Sequence, residues 1–298
     1  MEQVMFARIL VALLLLLPLQ TASAQQESQF PQTAWAAACE DWDDWDKPAP
    51  PFNIFGNSWY VGTCGISAIL ITSDDGHILI DGASRDGGPL VEANIAKLGF
   101  RIEDVKILLH SHEHFDHVGG LAYLQKRSGA MMIASAGAMR ALRTGEAQPD
   151  DPQYGMHEAF EPVDVSIIVG SSNPVTLGHI TLTPLETPGH TPGGLSWQWE
   201  EGEGDVVKSI VYADSLSPVS SDDYRFSDHP EYLAAYRESL AHVAARDCDV
   251  LLTPHPSASG MRDKLAAGDL TSGMNCREFA ASVTARLDAR LSQEAAPK

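Results

Sequence analysis

Between Val105 and Gly120 the chain reads VKILLHSHEHFDHVGG, which sets His112, His114, Asp116 and His117 in the spacing H-x-H-x-D-H. In an extended segment, residues two apart project to the same side, so His112 and His114 face together. Asp116 and His117 come after the chain turns toward a helix expected to open near Gly119. One short loop can then offer two imidazoles to one metal ion and a carboxylate with an imidazole to a second. Neutral imidazole and carboxylate are ligands that suit zinc. At the histidine content of this chain, four specified positions would recur by accident in about one chain per thousand.

Two further histidines stand where a metal site would need them. His190 lies in a turn rich in Pro and Gly directly after an expected strand, and His255 follows the buried run Val250–Leu252 between two prolines. Proline and glycine on either side restrain such loops, as a preorganised site requires. His77, His157, His179, His229 and His242 are expected to be ordinary core or surface residues, and His110 lies beside the cluster but outside its pattern.

The pattern around the motif alternates short apolar strands with helices. Strands are expected at 59–61, 67–72, 77–81, 105–109, 131–134, 165–169, 175–177, 180–184, 195–199, 207–212 and 250–252. The turn residues 73–76 make the strands on either side a hairpin. Helical spacing marks 88–98, 120–127, 136–142, 231–245 and 278–291. Strand runs with helices interleaved, twice over, predict an α/β protein of two packed sheets with helices outside. Residues 145–165 form a long polar stretch expected to be a functional loop, and residues 25–50 read as a polar surface arm.

Composition narrows the partners. Forty Asp and Glu against twenty Lys and Arg leave a net charge of −20, which disfavours nucleic acid and anionic membrane surfaces. Residues 1–24 read as a cleaved secretory signal: Arg8, the apolar run from Ile9 to Leu17, and the small residues Ala22, Ser23 and Ala24. That run is too short for a membrane span, so residues 25–298 are expected as one exported domain without a membrane anchor. Export favours disulfides. Cys39, Cys64, Cys248 and Cys276 allow three pairings, of which the two sequence-local ones, Cys39–Cys64 and Cys248–Cys276, are preferred.

With these residues in view, the chain resembles the metallo-β-lactamase superfamily, and within it the third subclass of class B β-lactamases. The resemblance rests on the segment from Phe55 to Cys64, on Leu79 to Gly82, on the histidine motif with His190 and His255, and on Tyr212 to Ser217. It implies a four-layer αββα sandwich with metals at the sheet edges. His112, His114 and His190 would bind one zinc, and Asp116, His117 and His255 a second. Asp81 would be a buried carboxylate that orients the metal loop.

The implied activity is hydrolysis of the β-lactam amide bond of antibiotics, carbapenems included, by attack of a zinc-bound hydroxide without an acyl-enzyme. The implied partner is a small-molecule β-lactam, and the protein would act in the periplasm as a monomer. Asp116 would help deliver a proton to the departing nitrogen. Ser215 and Ser217 are candidates to hydrogen-bond the substrate carboxylate, since no serine-nucleophile motif is present. Trp59 and Tyr60 on one side, with Gln153, Tyr154 and His157 on the other, would wall the cleft.

Two rival readings remain open. A secreted lactonase or thioesterase with the same metals would use Asp214 as a bridging ligand, whereas the wider match at Tyr212 to Ser217 puts Ser215 at the metals. A zinc-dependent binding protein without catalysis would need saturated sites, but three protein ligands per ion leave positions for water and substrate.

Overall fold

The computed structural model describes residues 29–40 and 44–296; the expected signal segment lies outside them. Seven strands form the first sheet in the order β1 to β7: Phe52–Phe55, Ser58–Tyr60, Ile69–Ile71, His77–Ile80, Val105–Leu109, Met131–Ser135 and Val165–Val169. The second sheet holds five, ordered β12-β11-β10-β9-β8: Val250–Leu252, Val206–Tyr212, Leu195–Glu203, Ile180–Glu186 and Val175–Leu177.

Alternation along the strands generates the layers. Ile78, Ile80, Ile107 and Leu109 of the first sheet meet Trp197, Ile210, Tyr212, Val250 and Leu252 of the second in one core. The residues between them, Leu79 and Leu108, point the other way, toward Val91 and Ile95 of α2 (Gly87–Lys97) and Leu121 and Leu124 of α4 (Leu121–Ser128). On the far side, Val211 and Leu251 pack on Tyr236 and Leu240 of α6 (Pro230–Ala244) and on Phe279 and Val283 of α8 (Cys276–Glu294). The result is the expected αββα sandwich, because a strand buried on both faces must be apolar at every position.

Strand direction concentrates the loops at one edge. β4, β5 and β6 are parallel, as are β11 and β12. β9 runs antiparallel to β10, which runs antiparallel to β11, so β9 also ends on the side where β11 and β12 end. The segments after β4, β5, β9, β11 and β12 therefore converge. Bonds between sheets hold that edge shut: Leu195 N donates to Ser111 O at 2.6 Å, Trp197 Nε1 to His110 O at 2.9 Å, and the Tyr212 hydroxyl to Asp81 Oδ2 at 2.7 Å.

The structure corrects the reading of residues 25–50 as a surface arm. Gln32–Ala38 form helix α1, whose Trp35 is fully buried against Phe52 and Tyr60. A polar composition hid the buried Trp35 that docks the segment. Strand β1 and the short helix α7 (Met261–Ala266) were likewise not foreseen. Among the described residues no helix is long and apolar enough to cross a membrane.

Both preferred disulfides are present, Cys39–Cys64 and Cys248–Cys276. The second spans 28 residues and ties the start of α8 to the loop before β12. Replacing both of its cysteines by alanine should cost about 3–4 kcal/mol through the unfolded chain. Chemical denaturation of the double variant reads that loss directly, and an unchanged midpoint would contradict it.

Candidate metal centre

The expected ligands come together on loops from both sheets. The segment from His110 to His114 leaves β5 extended, and the short helix α3 (Phe115–Val118) then turns Asp116 and His117 inward. Close backbone contact fixes this turn: a Cβ on Gly120 would lie 2.2 Å from Gly82 O and 2.7 Å from Gly88 Cα. Asp81, at the end of β4, holds the loop from beneath. It takes a left-handed backbone conformation with φ of 64° and accepts bonds from Ser111 N at 2.6 Å and Ser111 Oγ at 2.7 Å. A carboxyl residue held in that conformation stores strain that its surroundings must maintain.

The rings of His112, His114 and His190 form a triangle. Their centroids are 5.0 Å (His112–His114), 4.8 Å (His112–His190) and 4.8 Å (His114–His190) apart, each pair near perpendicular. Each ring is held at one nitrogen by a polar partner from another part of the chain. His112 Nδ1 lies 2.8 Å from Asp214 Oδ1, and His114 Nε2 lies 3.0 Å from Asp151 Oδ2. His190 Nδ1 meets Ser217 O at 2.9 Å and Ser217 Oγ at 3.0 Å. Such partners fix the tautomer and aim the other nitrogen. The Nε2 of His112 is buried without a hydrogen-bond partner.

A second cluster adjoins the first. Asp116 Oδ2 is 3.0 Å from His117 Nε2 and 3.3 Å from His255 Nε2, and those two nitrogens are 3.2 Å apart. A tetrahedral ion with bonds of about 2.1 Å spaces its donors about 3.4 Å apart, so the three atoms are set as ligands of one ion would be. The set His112, His114 and His190 and the set His112, Asp116 and His117 each bring their ligand atoms within 4.8 Å of one another.

Electrostatics suit a cation. Burial holds His112 and His190 well below the ordinary histidine range and lowers His117 to about 4, so all three offer lone pairs at neutral pH. Burial also pulls His114 down, but the bond and charge of Asp151 outweigh it and leave that ring raised. For Asp116, burial opposes ionisation, yet His117 and His255 prevail and hold the carboxyl well below the usual range. Asp214, buried among other carboxylates, is raised well above its ordinary value. The neutral imidazoles of His112, His117 and His190 beside the ionised Asp116, with His112 Nε2 buried and unpartnered, fit a divalent metal of the zinc type.

Of the expected cleft residues, the structure brings Gln153 and His157 to the centre. The Gln153 amide lies 3.3 Å from His190 Nδ1 and 3.0 Å from His157 Nε2, and the His157 ring centroid lies 4.6 Å from that of His114 with the planes tilted by 52°. His157 is thus no ordinary surface residue. Tyr154 in the same loop is 53% exposed.

Trp59 and Tyr60 are corrected. Tyr60 stacks on Phe52 in the core between the sheets. Trp59 packs on Phe100 and lines a cavity with His77 and Asp104, at the opposite end of β4 and β5. Their strand position fixes them there, one on each face of β2. The aromatic wall comes instead from Trp45, 5.6 Å from the His255 ring and 5.8 Å from Phe115. Trp45 is pinned by Thr63 Oγ1, which donates to its carbonyl at 2.6 Å, in a segment stapled by Cys39–Cys64. Ser217 is committed to His190, whereas the buried Ser215 hydroxyl has no partner. His110 is buried, accepts from Ser135 N at 3.1 Å and belongs to neither donor set.

Comparison with known proteins agrees with this geometry. Residues 61–255 match the family model described as the metallo-beta-lactamase superfamily. The solved structure of MIM-2 metallo-beta-lactamase is 53% identical with a TM-score of 0.83, covering 88% of this chain and 98% of its own. MEM-A1, a subclass B3 metallo-beta-lactamase from a soil metagenome library, is 41% identical with a TM-score of 0.81, covering 86% of this chain and 100% of its own. Among curated proteins, a hydroxyacylglutathione hydrolase of Bradyrhizobium sp. (strain ORS 278) is 31% identical over 137 residues; that match takes in 45% of this chain and 41% of the relative's length.

Proposed function

The chain belongs to the metallo-beta-lactamase superfamily, and on that premise we propose that it is a two-zinc hydrolase that opens the amide bond of β-lactam antibiotics, carbapenems among them. His112, His114 and His190 would hold one ion and Asp116, His117 and His255 the other. Ions bound there supply Lewis acidity and a water of lowered pKa at neutral pH. In the net reaction water adds across the amide: a C–O bond forms, the ring C–N bond breaks, and the nitrogen takes a proton.

The protein's own part is to present and shield. Asp214, Asp151 and Ser217 hold the three rings of the first group in one tautomer each. Asp116, held so far toward the ionised form, suits a ligand better than a proton donor, which shifts the expected emphasis of its role. Trp45, Phe115 and His157 surround the donors with aromatic surface, and Ser215 is the hydroxyl free to meet a substrate carboxylate. Trp45→Ala should raise KM about fivefold to tenfold with little change in kcat, because it removes uniform binding and not a reacting group. Steady-state kinetics on one carbapenem checks this.

The position of Asp214 carries the choice of substrate. A lactonase or thioesterase would place this carboxylate between the ions, as the match to hydroxyacylglutathione hydrolases invites. Here Asp214 sits on His112 Nδ1, behind the ring. The reading is tested by giving the zinc-loaded protein a penicillin, a cephalosporin and a carbapenem beside an acylglutathione thioester and a lactone. Faster turnover of the last two would overturn it.

Reading residues 1–24 as a leader places the mature enzyme in the periplasm. Two disulfides among the described residues support an oxidising compartment.

A further inference from the structure

We propose that Glu113, the residue between the two histidines of the H-x-H pair, is the positioning residue that seats His190 at the first metal group. The inference rests on the metal reading above. His112 and His114 project to one side of the extended segment, so the side chain between them projects to the other. There Glu113 is 3% exposed. Its Oε2 accepts from Thr191 Oγ1 at 2.7 Å and its Oε1 from Gly193 N at 2.9 Å. Both donors belong to the turn that immediately follows His190.

A buried carboxylate that meets only neutral donors is a costly choice for filling space. What it achieves is a rigid link: one residue spans the loop carrying His112 and His114 and the turn carrying His190. The turn has no room to shift as a substitute, since a Cβ on Gly193 would lie 2.3 Å from Ala138 N. Tyr232 and Ser239 of α6 hold the same turn at Gly189 O and Pro188 O, the residues before His190. Glu113 alone among these side chains ties it to the other ligand loop. The second group, Asp116, His117 and His255, lies outside this link.

The test is a zinc titration against a chromophoric chelator, which reads two stepwise affinities without any substrate. His190→Ala identifies the step belonging to the first group. Glu113→Ala should weaken that step by about 10- to 100-fold, the usual effect of losing a partner behind a ligand, and leave the other within about twofold. Glu113→Gln should restore both steps: its Oε1 can accept from Gly193 N while its Nε2 donates to a Thr191 hydroxyl turned around. Thr191→Val removes one of the two donors and should weaken the same step by less, which keeps the test open if the alanine variant does not fold.

Equal weakening of both steps, a glutamine variant as weak as alanine, or an unaffected Thr191→Val would overturn the proposal. A wild-type protein that binds two zincs but spares β-lactams would sink the substrate reading alone. One that binds no zinc would sink both.

Discussion

Asp116→Ala should lower kcat/KM for a β-lactam by about a thousandfold and leave close to one firmly held zinc per chain. Partners behind a ligand are typically worth 10- to 100-fold in affinity or activity, and loss of a ligand itself should exceed that. Asp116 brings the only carboxylate to its cluster, where its Oδ2 lies within 3.3 Å of both His117 Nε2 and His255 Nε2. Without it, His117 and His255 would be left to face a divalent ion with no carboxylate among the donors of that cluster. The first group keeps its three rings and their partners, so one ion should remain. Metal analysis of the dialysed variant beside its kinetics checks both halves. A variant that keeps two zincs and wild-type turnover would remove Asp116 from the site.

Stripping the metals should produce the largest change in stability. An ion that binds only the folded chain stabilises it by about 4 kcal/mol when present at a thousand times its dissociation constant. Two such ions make the chelated protein unfold at far lower temperature or denaturant. The ligand rings also make an acid-sensitive contribution to the stripped protein. Burial depresses His112 and His190, and holds His117 at about 4. Below about pH 6.5 these rings take up protons in the unfolded chain that the folded chain refuses, so their contribution to stability falls as pH drops toward 4. The raised carboxyls of Asp81, Glu113 and Asp214 act in the opposite sense. Alanine at His117 should therefore lessen the acid loss. Denaturant melts of chelated and zinc-loaded protein at several pH values read both effects. Equal stability with and without zinc would contradict a centre built from these residues.

The motif from His112 to His117 and the core strands were legible because both depend on local spacing. Val105–Leu109 and Val250–Leu252 are buried on both faces except at Lys106, whereas the equally apolar Val165–Val169 forms the sheet edge and leaves Ser166, Ile167 and Ile168 exposed. The residues that orient the rings were not legible, because their positions are set by tertiary packing. Asp151 sits 37 residues from His114 in a loop without regular structure, and the sequence offers Asp214 as a bridging ligand or a bystander beside Ser215 but not as the partner of His112 Nδ1. Glu113 was hidden inside the motif, since its neighbours drew the chemistry and its own partners lie 78 and 80 residues away. Trp45 shows the same effect in reverse of Trp59 and Tyr60. All three are aromatic, but strand pairing commits two of them to the core, while a disulfide-stapled loop carries the third to the ligands. Aromatic character alone could not separate them.

The most direct test follows β-lactam ring opening while zinc is added stepwise to metal-free protein. Carbapenem absorbance should be stable without metal, fall once zinc enters, and reach a limiting rate near two equivalents, with a chelator reversing the effect. Protein that takes up two zincs and leaves the ring intact, while it hydrolyses a thioester or lactone, would contradict the β-lactamase reading and reopen the place of Asp214.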